Sequence, residues 1–247
     1  MTRRSSLGVA LGTSVVTAAT GYWTTMSPYS QRLGPFPYRA TADTGPKTIA
    51  LTFDDGPNEP YTSQIAAYLN QRAIKATFFQ VGQCVQRHPE TSRSLLAAGH
   101  LIGNHSHSHR FSRSWTRRDI ANELDLSQQI FHDTLGRKPA LYRPPWLART
   151  PSTFSVLNEV GMRAVSGEFC HALEPVQPSA HSIARRALAK VRSGSIIIFH
   201  DGYDARGGAR TNTVAAVEIV VDVLTDQGYS FSTVDRLLGA PAYLPGA

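Results

Sequence analysis

Three histidines occupy alternate positions of the stretch "GNHSHSH", at His105, His107 and His109, and an adjacent aspartate pair, Asp54 and Asp55, closes the upstream run "TFDD". One carboxylate and two neutral imidazoles can hold a divalent ion such as zinc and leave a coordination position for water. Such an ion acidifies the water to near neutral pH and polarises a carbonyl. On a strand all three histidines would share a face, whereas on a helical turn only His105 and His109, four apart, would do so. The stretch follows the strand-like "HLIG" and precedes the polar "SHRFSRS". It therefore reads as a strand-to-helix loop, with His105 and His109 as the ligands and His107 turned aside. Neighbouring carboxylates repel, so one metal-bound and one free aspartate resolves the conflict, and the free one can take a proton from water.

Positioning such residues needs a scaffold. From Lys47 onward, short apolar runs alternate with segments of helical spacing. "TIALTF", "ATFFQVG", "HLIGNH", "ALYRPP", "RAVSGE", "SIIIFH" and "SFSTV" read as strands. Residues 61–72, 89–98, 119–135, 151–160, 182–191 and 213–227 read as helices, two of them stopped by Gly99 and Gly136. The expected fold class is α/β, with about seven parallel strands in an open or closed sheet. Asp54 and Asp55, His105 and His109, Arg143, Glu168 and His200 each fall at or just after the end of a strand. In a parallel barrel the loops at the carboxyl ends of the strands converge on one rim, so these residues are expected to share one site.

The chain has 247 residues, 41% of them hydrophobic, enough for one large domain with a substantial core. Cys84 and Cys170 are too few for a disulfide framework and read as free thiols. A formal net charge of +7 suggests an anionic neighbour. The basic residues are scattered, however, and no nucleic-acid recognition pattern accompanies them, so nucleic acid is not expected as a partner. An anionic polymer such as a bacterial wall fits the charge equally well. Arg3 and Arg4 precede an uncharged run from Ser5 to Trp23 with small residues at Ala18 and Ala19. Residues 1–23 therefore read as an export signal or a short membrane anchor, and the protein is expected outside the cytoplasm. Residues 24–46 read as a linker punctuated by Pro and Gly, 47–240 as the catalytic domain and 241–247 as a tail. Nothing in the pattern asks for a coiled coil or an open strand edge, so a monomer is expected.

"TFDDGP", "HSHSH", "YRPPW" and "IIIFHDG", in this order and spacing, resemble the polysaccharide deacetylases, the NodB-homology family or carbohydrate esterase family four. The resemblance implies a distorted (β/α) barrel and metal-dependent removal of acetyl groups from glycans. It implies Asp54 as general base, and Asp55, His105 and His109 as ligands of a divalent metal, zinc, with cobalt or manganese as alternatives. Arg143 would orient Asp54, and His200 would protonate the leaving group. The backbone N–H of Trp146 would stabilise the oxyanion, while Ile197 and Phe199 would line a pocket for the acetyl methyl. The fourth motif departs from the family: "VSGEFCHALEP" carries no aspartate where an Asp-rich stretch is usual. Glu168 is expected to substitute, setting the charge around His200 or Arg143, with His171 and Glu174 also near.

Three functions compete at this point. The first is a hydrolase removing acetyl from N-acetylglucosamine-containing glycans, peptidoglycan or chitin-like oligomers, or, within the same chemistry, an esterase on O-acetylated xylan. The second is a catalytically impaired member of the fold that binds glycans, suggested by the altered fourth motif. The third is a ferrous oxygenase, since two histidines and one carboxylate also suit iron; it leaves the second aspartate and His200 without a role.

Overall fold

The computed structural model describes residues 20–41 and 47–246. Most of the run read as an export signal, residues 1–19, therefore lies outside the described residues. Among the described residues, no helix is long and apolar enough to cross a membrane.

The strands are β1 (Thr48–Asp54), β2 (Thr77–Gln80), β3 (Leu101–Asn104), β4 (Leu141–Tyr142), β5 (Arg163–Ala164), β6 (Glu168–Phe169), β7 (Ile196–His200) and β8 (Ser230–Phe231). They pair in parallel in the order β5-β4-β3-β2-β1-β7-β6, with β8 beside β1. The expected barrel of about seven parallel strands is present as a curled path whose two ends do not hydrogen-bond to each other. The run "RAVSGE", read as one strand, is the place where it opens. It supplies both ends, β5 and β6, with residues 165–167 spanning the gap. The Ser166 N–H bonds to the Pro37 carbonyl (2.9 Å), outside the sheet.

Strand alternation sorts the side chains. Ile49, Leu51 and Phe53 of β1 join Ile197 and Phe199 of β7 in one apolar layer against the helices, packed on Ile65, Leu69, Val217 and Val220. Thr52 and Asp54 point the opposite way, into the barrel, as do Ile198 and His200. Inside the barrel the ring of Phe79 lies against β3, where Gly103 carries no side chain. A Cβ on Gly103 would stand 2.4 Å from Phe79 Cδ1. The Phe79 ring in turn supports the Arg143 guanidinium, 4.1 Å from its centroid.

The reading of 24–46 as a linker is corrected over its described part. Residues 25–41 pack along the open seam of the barrel. Phe36 is fully buried among Leu147, Val156 and Ile198. The Pro28 carbonyl accepts from Ser166 Oγ (2.8 Å), and Ile196 and Ala40 bond across to the Tyr38 and Gly194 carbonyls. This stretch is an arm that closes the barrel, because the gap between β5 and β6 exposes apolar interior that only another segment can cover. The tail is also corrected: the Ala242 carbonyl accepts from the Ala140 N–H (3.0 Å), and Leu244 N–H donates to the Lys138 carbonyl (2.9 Å).

Truncating an aromatic side chain in such a site leaves a cavity. Phe36→Ala is expected to lower stability by about 3–4 kcal/mol, read from urea or guanidinium unfolding midpoints. A loss below about 1 kcal/mol would return this segment to the status of a linker.

Candidate active site

Asp54 and His200 are register partners on adjacent parallel strands, both facing the barrel interior at the carboxyl end. Neighbouring strands lie about 4.8 Å apart, so these two side chains rise side by side from the sheet. Asp54 Oδ1 accepts from Arg143 Nη1 (2.6 Å), and the same nitrogen donates to Thr52 Oγ1 (2.7 Å). Arg143 Nη2 donates to the Ser166 carbonyl (2.8 Å). The guanidinium is fully buried, and burial pulls its pKa down from the usual value while Asp54 opposes that pull. The fixed fork of Arg143 therefore sets the direction in which Asp54 presents its free oxygen.

The next residue, Asp55, leaves the strand in the left-handed region at φ 75°, and His109 does the same at φ 51°. Side chains rarely adopt this conformation outside glycine, and its concentration at these two residues marks a backbone held for its site. Gly202 makes the turn beside them possible, since a Cβ there would fall 2.4 Å from the Asp55 carbonyl oxygen. The histidine loop is folded from within and from outside. Asn104 Oδ1 accepts from the Ser106 N–H (2.9 Å), and Ser106 Oγ accepts from the His109 N–H (3.2 Å). Glu123, on the helix Arg117–Leu135, accepts from the backbone N–H groups of His107 (3.1 Å) and Ser108 (2.7 Å).

The result is a triangle of Asp55, His105 and His109 in which the facing ligand atoms all lie within 4.8 Å of one another. Asp55 Oδ1 stands 3.3 Å from His105 Nε2 and 3.0 Å from His109 Nε2. His107 lies outside the triangle, close to Gly82. The His105 Nδ1 meets the Arg143 carbonyl at 2.6 Å. A carbonyl only accepts, so Nδ1 carries the proton and Nε2 turns a lone pair inward. His109 Nδ1 lies 3.3 Å from the Asp204 carboxylate, the same outward anchoring by a second group. Asp55 Oδ1 is buried without a hydrogen-bond donor. Three acceptor atoms thus converge where no donor reaches, and these residues fit a divalent cation.

The electrostatics agree. Burial works against the Asp55 anion, yet the charge of His109 and the two facing imidazoles hold its carboxyl well below the ordinary range. Burial also opposes charge on His109, but Asp55 and Asp204 push its pKa up to about 10. The site demands positive charge, and a bound cation would supply it in place of that proton.

The family profile described as polysaccharide deacetylase matches residues 41–165. The chain belongs to the polysaccharide deacetylase family. It is 35% identical over 193 residues to the peptidoglycan-N-acetylglucosamine deacetylase of Bacillus cereus, covering 78% of this chain and 88% of that one. It is 31% identical over 195 residues to the chitooligosaccharide deacetylase of Azorhizobium caulinodans, covering 74% and 90%. The structure of the peptidoglycan deacetylase PdaC from Bacillus subtilis superposes with a TM-score of 0.70 at 31% identity, covering 79% of this chain and 92% of that one.

The deacetylase cleft has a volume of about 530 Å³ and is lined by the triangle, Asp54, His200, Trp146, Phe169 and Tyr203, among others. A larger cavity of about 660 Å³ opens at the other ends of β4 and β5, beside Leu141 and Arg163, away from this chemistry. Trp146 sits with its ring 4.3 Å from that of His109 and its backbone at φ 53°.

Two expectations are corrected. Ile197 and Phe199 do not line the cleft; both are fully buried in the layer between sheet and helices, because they have the opposite strand parity to His200. Glu168 does not reach His200 or Arg143 by hydrogen bond. It pairs in register with Ile197, three residues and roughly 10 Å below His200, and binds Arg39 (3.4 Å) and Ser195 Oγ (3.1 Å). Glu174 does the work expected of it. Fully buried, it accepts a hydrogen bond from His200 Nδ1 at 2.6 Å and another from the Thr213 hydroxyl. Burial would lower the His200 pKa, but Glu174 outweighs it, helped by Asp55 and Asp54, and raises it to about 9. The sequence reading also gave no role to Asp204 or Asp201. Asp201 is buried, accepts from Thr62 Oγ1 (2.5 Å) and has its pKa raised to about 7, chiefly by burial. Its adjacency to His200 in "HDG" was the available signal.

Asp55→Ala and His109→Ala should each abolish stoichiometric binding of a divalent ion, measured by metal analysis after dialysis. Full metal content in either variant contradicts the triangle as a metal centre.

Proposed function

We propose that this chain is a metal-dependent hydrolase that removes acetyl groups from N-acetylglucosamine-containing glycans, peptidoglycan or chitin-like oligomers. The observation that carries the reading is the placement of Asp54 and His200, side by side at the rim, next to the Asp55–His105–His109 triangle. We assign zinc to the triangle, with cobalt or manganese as substitutes. When bound there, the ion would polarise the acetyl carbonyl and acidify a water.

The chain's own residues divide the proton work. Asp54, tied on one oxygen by Arg143, has a second oxygen with which to take a proton from water. His200 carries its proton at neutral pH because Glu174 holds the imidazolium, so it can hand a proton to the departing sugar nitrogen. That transfer matters for an amide, whose amine leaves poorly without it. An oxygenase gains nothing from this acid–base pair. We also propose that the protein works outside the cytoplasm as a monomer. Arg3, Arg4 and the uncharged run to Trp23 support export, and the net charge of +7 suits an anionic wall polymer.

Acetate release from peptidoglycan, chitooligosaccharides and acetylated xylan, assayed with each metal, tests the reading. Release from the N-acetylated glycans is expected. Release from xylan alone would make the protein an O-acetyl esterase, and binding without release would make it a lectin-like member of the fold.

Asp54→Asn should retain the metal while losing turnover by about 10²–10⁴-fold; near-normal turnover removes Asp54 as the base. Activity that needs protonated His200 should decline as pH rises through about 9. Glu174→Gln removes the main support of that proton, so the alkaline limb of kcat/KM should move down by about one pH unit or more. A limb that stays in place would separate Glu174 from the proton donor.

A further inference from the structure

The cleft is bounded by loops that follow the strands: residues 144–147, 169–175 and 200–204, together with the triangle. Between the first two of these loops the sheet is unclosed, because β5 and β6 are the ends of the strand path. On that side Tyr22, Met26 and Pro28 line the cleft. They belong to a segment far from the catalytic motifs in sequence.

What holds this segment is Arg149. Its side chain is fully buried and stacks on Phe36, 4.1 Å from the ring centroid. Its guanidinium donates to four carbonyls: Leu147 (2.9 Å), Ser27 (2.9 Å), Ser30 (2.7 Å) and Thr25 (3.3 Å). Among the described residues no carboxylate pairs with it. Burying a guanidinium is costly, and here backbone dipoles and the face of the Phe36 ring compensate in place of a carboxylate. Those carbonyls belong to the arm and to Leu147, the neighbour of Trp146. One buried cation therefore fastens the arm to the loop that covers His109. Tyr22, just ahead of the arm, and Met26 and Pro28 within it turn apolar or aromatic surface to the cleft, the kind on which the carbon face of a sugar ring packs.

We infer that residues 22–28, latched by Arg149, form a wall of the substrate cleft and contact the glycan beside the unit that loses its acetyl group. Arg149 is a positioning residue, and the arm sets affinity more than rate. This inference rests on the hydrolase reading above for the identity of its ligand.

Binding separates it from turnover. The N-acetylglucosamine pentamer is titrated by calorimetry into the full, metal-loaded chain carrying Asp54→Asn, with and without Met26→Asp or Arg149→Met. Each added substitution should weaken Kd about tenfold. In the otherwise unaltered chain the same substitutions should raise KM about tenfold with kcat changed less than about threefold. Met26 is half-buried at the cleft surface, so its variant carries the test even where Arg149→Met fails to fold. An unchanged Kd with Met26→Asp, or a fall in kcat at constant KM, overturns the inference. Arm-dependent binding by a chain that releases no acetate would keep the wall and remove the hydrolase. Acetate release with arm-independent binding would do the reverse. A pentamer that fails to bind the parent chain overturns the inference, while acetate release from peptidoglycan would still keep the hydrolase.

Discussion

Lone pairs aimed at one another in a buried space repel unless positive charge lies between them, and the site is built around that demand. His105 is made to face inward because its outer nitrogen is committed to the Arg143 carbonyl. Asp55 is made to face inward by a left-handed backbone that Gly202 on the loop after β7 leaves room for. No donor reaches Asp55 Oδ1. Each restraint works against local comfort, and each makes sense once a cation balances the whole.

Arg143 links this centre to the acid–base pair. Its carbonyl anchors one ligand and its side chain anchors Asp54, so a single residue fixes both the metal cage and the base. The sheet supplies the rest. Parallel register places Asp54 opposite His200 without any loop having to carry them there. Parity then divides β7 cleanly: Ile197 and Phe199 serve the core while His200 serves the cleft. Glu174 completes the pair from a short turn beyond β6, where it is sealed from solvent and shared with Thr213.

Much of this was legible beforehand. Apolar runs ending in polar residues gave the strands and their common rim, since burial on both faces of a parallel sheet leaves that pattern directly in the sequence. His105 and His109 could be chosen over His107 from spacing on a turn. Other features were hidden for definite reasons. Glu168 and Glu174 are six apart, and only the break at residues 165–167 decides which one reaches the rim. Ile197 and Phe199 were placed in the cleft by the family resemblance alone, whereas the alternation of a strand turns them to the opposite face from His200. The arm went unrecognised since Pro and Gly between 34 and 46 signal turns, and such signals do not tell whether a turn is packed or free. Its anchor, Arg149, lies more than a hundred residues away.

The open seam between β5 and β6 has a consequence for how the molecule assembles. The segment that seals it is the first part of the domain to be synthesised, yet its docking surface is made from Leu147, Arg149, Ser166 and Glu168. Closing loops of 119 to 138 residues is entropically slow, so the earliest-born stretch settles late. A nascent chain therefore carries a gutter in place of a barrel, with Phe36 still uncovered. The pocket acquires its fourth side only when the strands near the middle of the chain have found one another.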